Sequence, residues 1–372
     1  MPRKTNLSIK EYTLKNGQKR YYFKISLGEN SNGKRIVTTR RGFKTYAEAD
    51  QVYNQLTRVK ADDFVKQNQI TIDELHKIWF GNYKNTVKES SAISESGIYK
   101  NHIEPFFGNQ FIDKITVVDL QKWADKKANE LVAFRRVIAI MNGLFEYGMR
   151  LNFVSSNLVK RILIPKKTTR KRRDIEKNVY TREELELFLK VAKNFPVMKY
   201  TFFKILACTG LRRSECLALT WQDIDFKNNL LHVNKTLAYG LNHQVIVQTP
   251  KSKKSNRKIP ISSSLKKALI EYQKQSTSKK LFHTLNGKYL YLGTPNIWLK
   301  KIYDENPDLK KITVHGFRHT FATLLISETN VKPKTVQMIL GHKNIEITLN
   351  LYTHINQDNQ IEAQKVIEQL NF

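Results

Sequence analysis

Apolar and polar residues alternate in the first sixty positions of the chain. Tyr21–Leu27 alternates and is rich in aromatic residues, and Arg35–Arg40 repeats the pattern after the turn-forming run Gly28–Gly33. Alternation of this kind predicts two antiparallel strands. Thr45 and Glu48 have the spacing of a capping box, which predicts the start of a helix. The apolar face of that helix consists of Ala49, Val52, Tyr53 and Leu56.

Between residues 70 and 165 the apolar positions recur at helical spacing. Thr71–Trp79 opens with a capping box, and Thr116 caps a second helix. Val132–Arg150 is strongly amphipathic. The polar stretch Lys84–Ser96 is predicted to be a connection, followed by a further helix over Ile98–Phe107. These elements together predict a small α-helical bundle.

A third region begins at Thr181, which has capping-box spacing to Glu184. Tyr200–Leu219 is predicted to hold one or two helices, and short alternating runs follow it. The predicted strands are Leu230–Asn234, His243–Thr249 and Arg257–Ile261. From Ser263 onwards the pattern predicts helix, apart from turns at Gly287 and at 293–295.

The composition indicates a polyanionic partner. The chain has 64 Lys and Arg against 33 Asp and Glu, a net charge of +31. An excess of this size favours nucleic acid, and the alternatives are a ribosome-type structural protein or a merely soluble basic protein. The length of 372 residues and the hydrophobic content of 40% suffice for two or three domains with their own cores.

Basic side chains concentrate in the N-terminal strands and in one later run. A thin sheet covered by one helix leaves its other face for a DNA groove, although a solvated basic sheet has the same pattern. Residues 166–174 contain no apolar residue and predict an extended linker that lies along phosphates or is simply solvated. The candidate DNA-binding residues are Lys19, Arg20, Arg35, Arg40 and Arg41 in the sheet, and Lys166, Lys167, Arg170, Lys171, Arg172 and Arg173 in the linker.

The two cysteines exclude a disulfide framework and show no metal-ligand spacing. Cys208 and Cys216 lie in one predicted helix beside apolar residues, which is typical of small buried side chains in a reducing compartment. The N-terminus lacks the apolar run of a signal peptide, and the sequence has no stretch long enough to span a membrane. We therefore expect a cytoplasmic, nucleoid-associated protein without contact to a membrane.

Side chains suited to a phosphodiester occur near the C-terminus. His315 and Arg318 are three residues apart, hence on one helical face, and each can donate to a phosphate oxygen. A helix from Pro333 is predicted to end with Gly341 in the left-handed conformation, which would fix His342. Tyr352 follows as a phenol suited to nucleophilic attack, although a tyrosine taken alone is most often a core aromatic.

Arg212 and Glu215 repeat this spacing of three on a predicted helix. Taken alone, such a pair is a common surface ion pair of little energetic weight. The apolar residues that flank it indicate burial, where the carboxylate would hold the guanidinium in place for an anion.

These segments together resemble the tyrosine recombinase (phage integrase) family. The segments TGLRRSE, HGFRHTFATLL and ILGHKNIEITLNLYTH carry the resemblance, which extends over essentially the whole chain and is closest to integrases of temperate phages and conjugative elements of low-GC Gram-positive bacteria. It implies an α+β multidomain fold with an N-terminal three-stranded β-sheet plus helix, a central SAM-like helical bundle, and a mainly α catalytic domain with a small antiparallel β-sheet. The implied domains are an arm-type DNA-binding domain (1–62), a core-binding domain (70–165), a basic linker (166–177) and a catalytic domain (178–372).

The resemblance also implies a role for each motif residue. The matched catalytic residues are Arg212, Glu215 in its support, His315, Arg318, His342 and the nucleophile Tyr352. The catalytic lysine of the family lies on a β-hairpin. Here the segment QTPKSKKSNRKIPI resembles that hairpin, with Lys251 as the best match and Lys253 and Lys254 as alternatives.

The implied activity is site-specific recombination. The enzyme would cut and rejoin DNA through a 3′-phosphotyrosyl intermediate and a Holliday junction, and so integrate and excise a mobile element, without a cofactor or a metal. Its expected partners are double-stranded DNA with core-type and arm-type sites, other protomers of a homotetramer, and an excisionase or a host DNA-bending protein. The tail Ile361–Phe372 is amphipathic and packs either on its own domain or on a neighbouring protomer.

Two other activities share part of these features. A type IB topoisomerase-like enzyme uses the same tyrosine chemistry, but the basic sheet at residues 1–62 argues against it. A catalytically silent DNA-binding regulator is the second alternative, and the complete motif set argues against that one.

Overall fold

A computed structural model describes residues 6–14, 17–29, 33, 35–59, 69–165, 178–249, 256–329, 331–341 and 345–346. The described residues form two compact units. The first holds those up to 88 together with 94–165, and the second holds 89–93 and those from 178 onwards. Within the described ranges, every helix is too short or too polar to cross a lipid bilayer.

The N-terminal sheet has three antiparallel strands in the order β1-β2-β3, as the resemblance implies. Its elements are β1 (Ile9–Thr13), β2 (Lys19–Glu29), β3 (Arg35–Phe43) and the covering helix α1 (Tyr46–Leu56). Phe23, Ile25 and Ala49 form the core between the sheet and the helix. The predicted capping box is confirmed, because Thr45 and Glu48 each bind the other's backbone N–H.

The helical bundle contains the predicted helices, and the first of them starts at the predicted capping box of Thr71. Its elements are α2 (Ile72–Tyr83), α3 (Glu89–His102), α4 (Glu104–Phe107), α5 (Val117–Glu130), α6 (Phe134–Arg150) and a 3-10 turn at Leu158–Arg161. The prediction of a connection over Lys84–Ser96 was wrong from Glu89 onwards. The polar segment forms the first turns of a helix whose later turns are held in the core by the buried Tyr99. The C-cap of the same helix, Ile103, is also buried in this core.

The second unit is mainly helical with a small antiparallel β-structure, as expected. Its strands form one sheet in the order β4-β5-β8 and a two-stranded sheet β6-β7. The helices are α7 (Arg182–Ala192), α8 (Val197–Thr209), α9 (Arg213–Leu217), α10 (Ser263–Lys274), α11 (Thr294–Glu305), α12 (Gly316–Ser327) and α13 (Pro333–Leu340), with a 3-10 turn at Trp221–Asp223. The strands are β4 (Ile224–Asp225), β5 (Leu230–Val233), β6 (Thr236–Tyr239), β7 (Val245–Gln248) and β8 (Arg257–Pro260).

Packed aromatic rings form the centre of this unit. Phe188 on α7 is fully buried and lies with its ring centroid 5.0 Å from Phe317 on α12 and 5.5 Å from Phe203 on α8. Tyr180 and Tyr303 complete the cluster, and their hydroxyl groups are 2.7 Å apart. The cluster fixes α7, α8 and α12 against one another, which matters because α8 and α12 lead into the residues of the candidate site.

Two predictions for this unit were wrong. Two segments that the pattern predicts as helix are not helical: residues 275–293, which form β-bridges at Lys280 and Tyr289 around Gly287 with its φ of 67°, and residues 306–315 between α11 and α12. Cys208 and Cys216 lie on different helices, α8 and α9, rather than on one. Gly210 separates them.

Gly210 offers a test of how tightly the end of α8 is packed. Gly210 and Gly287 both have positive φ, but a Cβ at Gly210 would lie 2.5 Å from Phe321 Cδ1, whereas a Cβ at Gly287 would meet nothing within 4 Å. We expect Gly287→Ala to lower the free energy of unfolding by about 1–2 kcal/mol, from backbone strain alone. Gly210→Ala should lower it by about 1–3 kcal/mol more, because the added Cβ also overpacks the site. Urea unfolding of the two full-length variants measures the difference, and equal costs would contradict the packing.

Candidate active site

Arg212 and Glu215 meet at the break between α8 and α9. Gly210 ends α8 in the left-handed conformation, and Arg212 is the N-cap of α9, which contains Glu215. The prediction that Arg212 and Glu215 share one helical face was therefore wrong, because Arg212 precedes the helix. The backbone N–H of Arg212 donates to Glu215 Oε2 at 3.0 Å, and Arg212 Nη1 donates to Oε1 at 2.8 Å. One carboxylate therefore caps α9 and holds the guanidinium at the same time.

Glu215 is 5% exposed and has a second cationic partner. Arg257, the first residue of β8, donates from Nη2 to Oε2 at 3.0 Å and from Nη1 to Oε1 at 3.4 Å. Burial by itself raises the pKa of Glu215, but the hydrogen bond and charge of Arg257 and the charge of Arg212 outweigh it and hold the pKa below its ordinary value. The carboxylate is therefore ionised at neutral pH.

Arg318 on α12 is buried and bonded to the C-terminal ends of two other helices. Its Nη1 donates to the carbonyl of Gly210 at 2.9 Å and its Nη2 to that of Leu340 at 2.8 Å. Carbonyls at a helix C-terminus lack partners within the helix and favour a cation. Burial and the charge of Arg212 lower the pKa of Arg318 to about 9, so it still carries its charge at neutral pH.

Three arginines converge on the C-terminal end of α13. Consecutive carbonyls accept one arginine each: Ile339 from Arg257 Nε at 2.7 Å, Leu340 from Arg318 Nη2 at 2.8 Å, and Gly341 from Arg212 Nη2 at 3.4 Å. The predicted helix from Pro333 with left-handed Gly341 is confirmed, with a φ of 65° at the glycine. Three guanidiniums and one carboxylate leave an excess of positive charge around this helix end.

His315 is the N-cap of α12 and lines an open pocket of about 560 Å³ together with Arg212 and Arg213. Its ring lies edge-to-face with that of His319, at 4.8 Å between centroids. Burial, His319 and the nearby arginines lower the pKa of His315 to about 4. The imidazole is therefore neutral at physiological pH, and one of its ring nitrogens is available as an acceptor.

Four of the predicted catalytic residues, Arg212, Glu215, His315 and Arg318, are thus brought together. The others lie outside the described residues: Lys251 with its alternatives Lys253 and Lys254, His342, Tyr352, the six linker residues from Lys166 to Arg173, and the tail Ile361–Phe372. Among the residues that are described, no three His, Cys, Asp or Glu side chains are grouped to hold a metal ion.

Arg257 is the residue that the sequence analysis missed. The sequence predicts only a strand there, yet Arg257 is 7% exposed and binds both Glu215 and α13. A signal was present, because alternation along β8 puts Arg257 on the same side as the apolar Ile259, and a charge at an inward position needs a partner.

The candidate DNA-binding residues of the N-terminal sheet divide between its two faces. Arg20, Arg35 and Arg41 lie on the uncovered face, where Arg41 Cζ is 5.2 Å and 5.3 Å from the ring centroids of Tyr12 and Tyr22. Lys19 and Arg40 lie on the helix side, because Arg40 pairs opposite the buried Phe23 and Lys19 binds Glu11 at 2.9 Å.

The chain matches three family models. They are the phage integrase family over residues 178–359, the phage integrase N-terminal SAM-like domain over 71–128, and an arm DNA-binding domain over 8–58. The chain is 28% identical over 402 aligned positions to a tyrosine recombinase XerC-like protein of Caldanaerobacter subterraneus subsp. tengcongensis, covering 100% of both chains. It is 27% identical to the ICEBs1 integrase of Bacillus subtilis over 383 positions, covering 98% of this chain and 100% of the relative.

The fold is similar to that of the Tn1549 transposon integrase, whose structure was solved in complex with a circular intermediate DNA. The TM-score is 0.64 at 24% identity, covering 81% of this chain and 100% of that one. With its three matched models and full-length relatives, the chain belongs to the phage integrase family of tyrosine recombinases. It is an enzyme, a tyrosine-type site-specific recombinase of mobile elements.

The neutrality of His315 is testable by titration. We expect its imidazole to titrate near pH 4, against 6.5 for an unperturbed histidine. Because the folded pKa lies below the unfolded one, the unfolded state binds the proton first, and this group removes stability as the pH falls from 6.5 towards 4. NMR of the histidine ring signals, assigned by their loss in His315→Gln, gives the midpoint, and a midpoint near 6.5 would contradict the electrostatics.

Proposed function

We propose that this recombinase integrates and excises its mobile element with Tyr352 as the nucleophile and the arginine cluster as the phosphate site. The observation that carries the proposal is the meeting of three guanidiniums at the C-terminal end of α13, two of them bonded to Glu215, next to the neutral imidazole of His315. Fixed cations of this kind stabilise the charge that builds on a phosphodiester during substitution, without reorganising at the moment of reaction.

The proposed first step is an in-line substitution at the scissile phosphorus. The phenolic oxygen of Tyr352 forms a bond to phosphorus as the bond to the 5′-oxygen breaks, which leaves a 3′-phosphotyrosyl ester. His315 accepts the phenolic proton, and Lys251 donates one to the departing 5′-oxygen. In the second step a 5′-hydroxyl of the partner duplex attacks the phosphorus and loses its proton to Lys251, while the phosphotyrosyl bond breaks and His315 returns its proton to Tyr352. One phosphoester bond replaces another, so the bond energy is conserved, and the exchange passes through a Holliday junction.

The charges around the phosphate also explain how a weakly basic His315 can accept a proton. Its pKa is low because of burial and the cations Arg318 and Arg212. A bound phosphodiester places negative charge among these cations and offsets their effect, so that the pKa of His315 rises towards the range in which proton transfer is efficient. Arg212 is the exposed member of the cluster, with 38% of its side chain accessible, and is placed to contact the phosphate directly.

DNA is the proposed partner of the rest of the chain as well. We assign arm-type site binding to residues 1–62, core-site binding to 70–165, phosphate contacts to the linker 166–177, and catalysis to 178–372. The net charge of +31 supports DNA as the partner, and the arginines on the uncovered face of the sheet support the assignment of the first segment. A homotetramer on DNA, an excisionase or a host bending protein, and a cytoplasmic site of action next to the nucleoid complete the proposal.

The nucleophile is tested with a suicide duplex that carries the core site, taken from the direct repeats that flank the gene. We expect wild type to form a covalent protein–DNA adduct, and Tyr352→Phe to form none while it binds the duplex as before, because only the phenolic oxygen is lost. Tyr291→Phe, at an exposed tyrosine of the same unit, is the matched control and should react normally. Adduct formation by Tyr352→Phe excludes this nucleophile. Strand joining between two duplexes distinguishes a recombinase from a topoisomerase.

The two faces of the N-terminal sheet predict different effects for neighbouring arginines. Arg41→Ala should weaken binding of arm-type DNA about tenfold, the weight of about 1–3 kcal/mol that a good groove contact carries. Arg40→Ala should weaken it much less, because Arg40 lies on the helix side and its Nη1 donates to Thr38 Oγ1 at 2.7 Å. Fluorescence anisotropy with the arm-site duplex measures both affinities. Equal losses would show that the uncovered face is not the binding face.

A further inference from the structure

Arg257 is a buried cation of the site, and the family resemblance gives this residue no role. We propose that Arg257 is a positioning residue, which holds Glu215 and the C-terminal end of α13 together and thereby sets the rate of DNA cleavage without contributing to DNA affinity. The inference rests on the proposed function, because the rate in question is that of cleavage by Tyr352.

The geometry uses the whole guanidinium of Arg257. Nε donates to the carbonyl of Ile339 at 2.7 Å, while Nη2 and Nη1 face the two oxygens of Glu215 at 3.0 Å and 3.4 Å. A planar fork with five fixed donors can bind a helix end on one edge and a carboxylate on the other. With 4% of its side chain exposed, Arg257 offers little surface to DNA.

Arg257 contacts two described parts of the site and is close to a third along the chain. Its partner Glu215 binds Arg212 on one side. Gly341 packs closely against Arg257, because a Cβ added at this glycine would lie 3.0 Å from Arg257 Nη1. Gly341 directly precedes His342 in the chain. The candidate Lys251 lies shortly before Arg257 in the same segment that leads into β8. A displacement of Arg257 therefore moves Glu215, which holds Arg212, relative to the helix end that precedes His342 in the chain.

The same contacts give Arg257 an electrostatic effect that a purely structural residue would lack. Burial raises the pKa of Glu215, and the hydrogen bond and charge of Arg257 are the largest of the effects that oppose it. Without Arg257, the buried carboxylate has Arg212 as its remaining charge partner, so it takes up a proton at a higher pH. A protonated Glu215 accepts more weakly from Arg212, which loosens the arginine that faces the pocket.

The test compares Arg257→Met with Lys258→Met, a matched change at the next and exposed position of β8. Formation of the covalent adduct is followed in single turnover on the suicide duplex across pH 6 to 8, and DNA affinity is measured by gel shift. We expect Arg257→Met to react about 100-fold more slowly than wild type, as for misplaced catalytic groups, with little change in affinity. The ratio of its rate to the wild-type rate should fall further as the pH is lowered, and this fall should vanish in Glu215→Gln/Arg257→Met.

Arg257→Lys covers the case in which Arg257→Met does not fold, as judged by its unfolding transition. It keeps a charge for Glu215 but lacks the planar fork, so we expect folded protein, unchanged affinity and an intermediate rate whose ratio to wild type does not depend on pH. If wild type forms no adduct, the proposed function itself falls. If wild type reacts and the Arg257 variants react equally fast, or lose affinity in step with rate, the positioning role is excluded.

Discussion

The buried carboxylate of Glu215 is the interaction on which the arrangement of the site depends. A charge removed from water is costly unless it is paired and hydrogen-bonded. Here Arg212 and Arg257 compensate it, and Glu215 also caps the short helix α9. The pairing keeps two guanidiniums in fixed positions before any DNA arrives. If the cluster is the phosphate site proposed above, its cations are already gathered and desolvated when the domain folds, and this need not happen during the reaction.

Helix ends supply the second half of this arrangement. Gly210 and Gly341 terminate α8 and α13 in the left-handed conformation, so carbonyls that lack helical partners point towards the cluster. Arg318 takes one carbonyl from each of these ends. The position of Arg318, a proposed catalytic residue, is consequently set by backbone geometry at two glycines. This explains why the motifs of the sequence combine glycines with charged residues.

Local signals predicted much of this fold. The capping boxes at Thr45, Thr71 and Thr181 and the helix end at Gly341 depend on residues within one turn, and the structure confirms them. Features that depend on distant partners were missed. The burial of Arg257 follows from its pairing with Glu215, and the face on which Arg40 lies depends on how β3 pairs with β2 past an irregularity at Tyr21 and Tyr22. The spacing of residues along the chain does not reveal these distant neighbours. From the sequence, Arg40 is therefore predicted to bind DNA from its charge alone, and Arg257 is predicted only as part of a strand.

The positive charge of the chain divides into two kinds with different consequences. The arginines on the uncovered sheet face, such as Arg35 and Arg41, are exposed, so the DNA contacts proposed for them would release counterions and give affinity that depends on salt. The buried arginines of the site already have protein partners, and Arg257 in particular has little surface left for a phosphate. Under the proposed function, their contribution lies in the stability of the transition state rather than in affinity. A change in salt concentration should therefore alter how often the enzyme occupies its sites much more than how fast it cuts once bound.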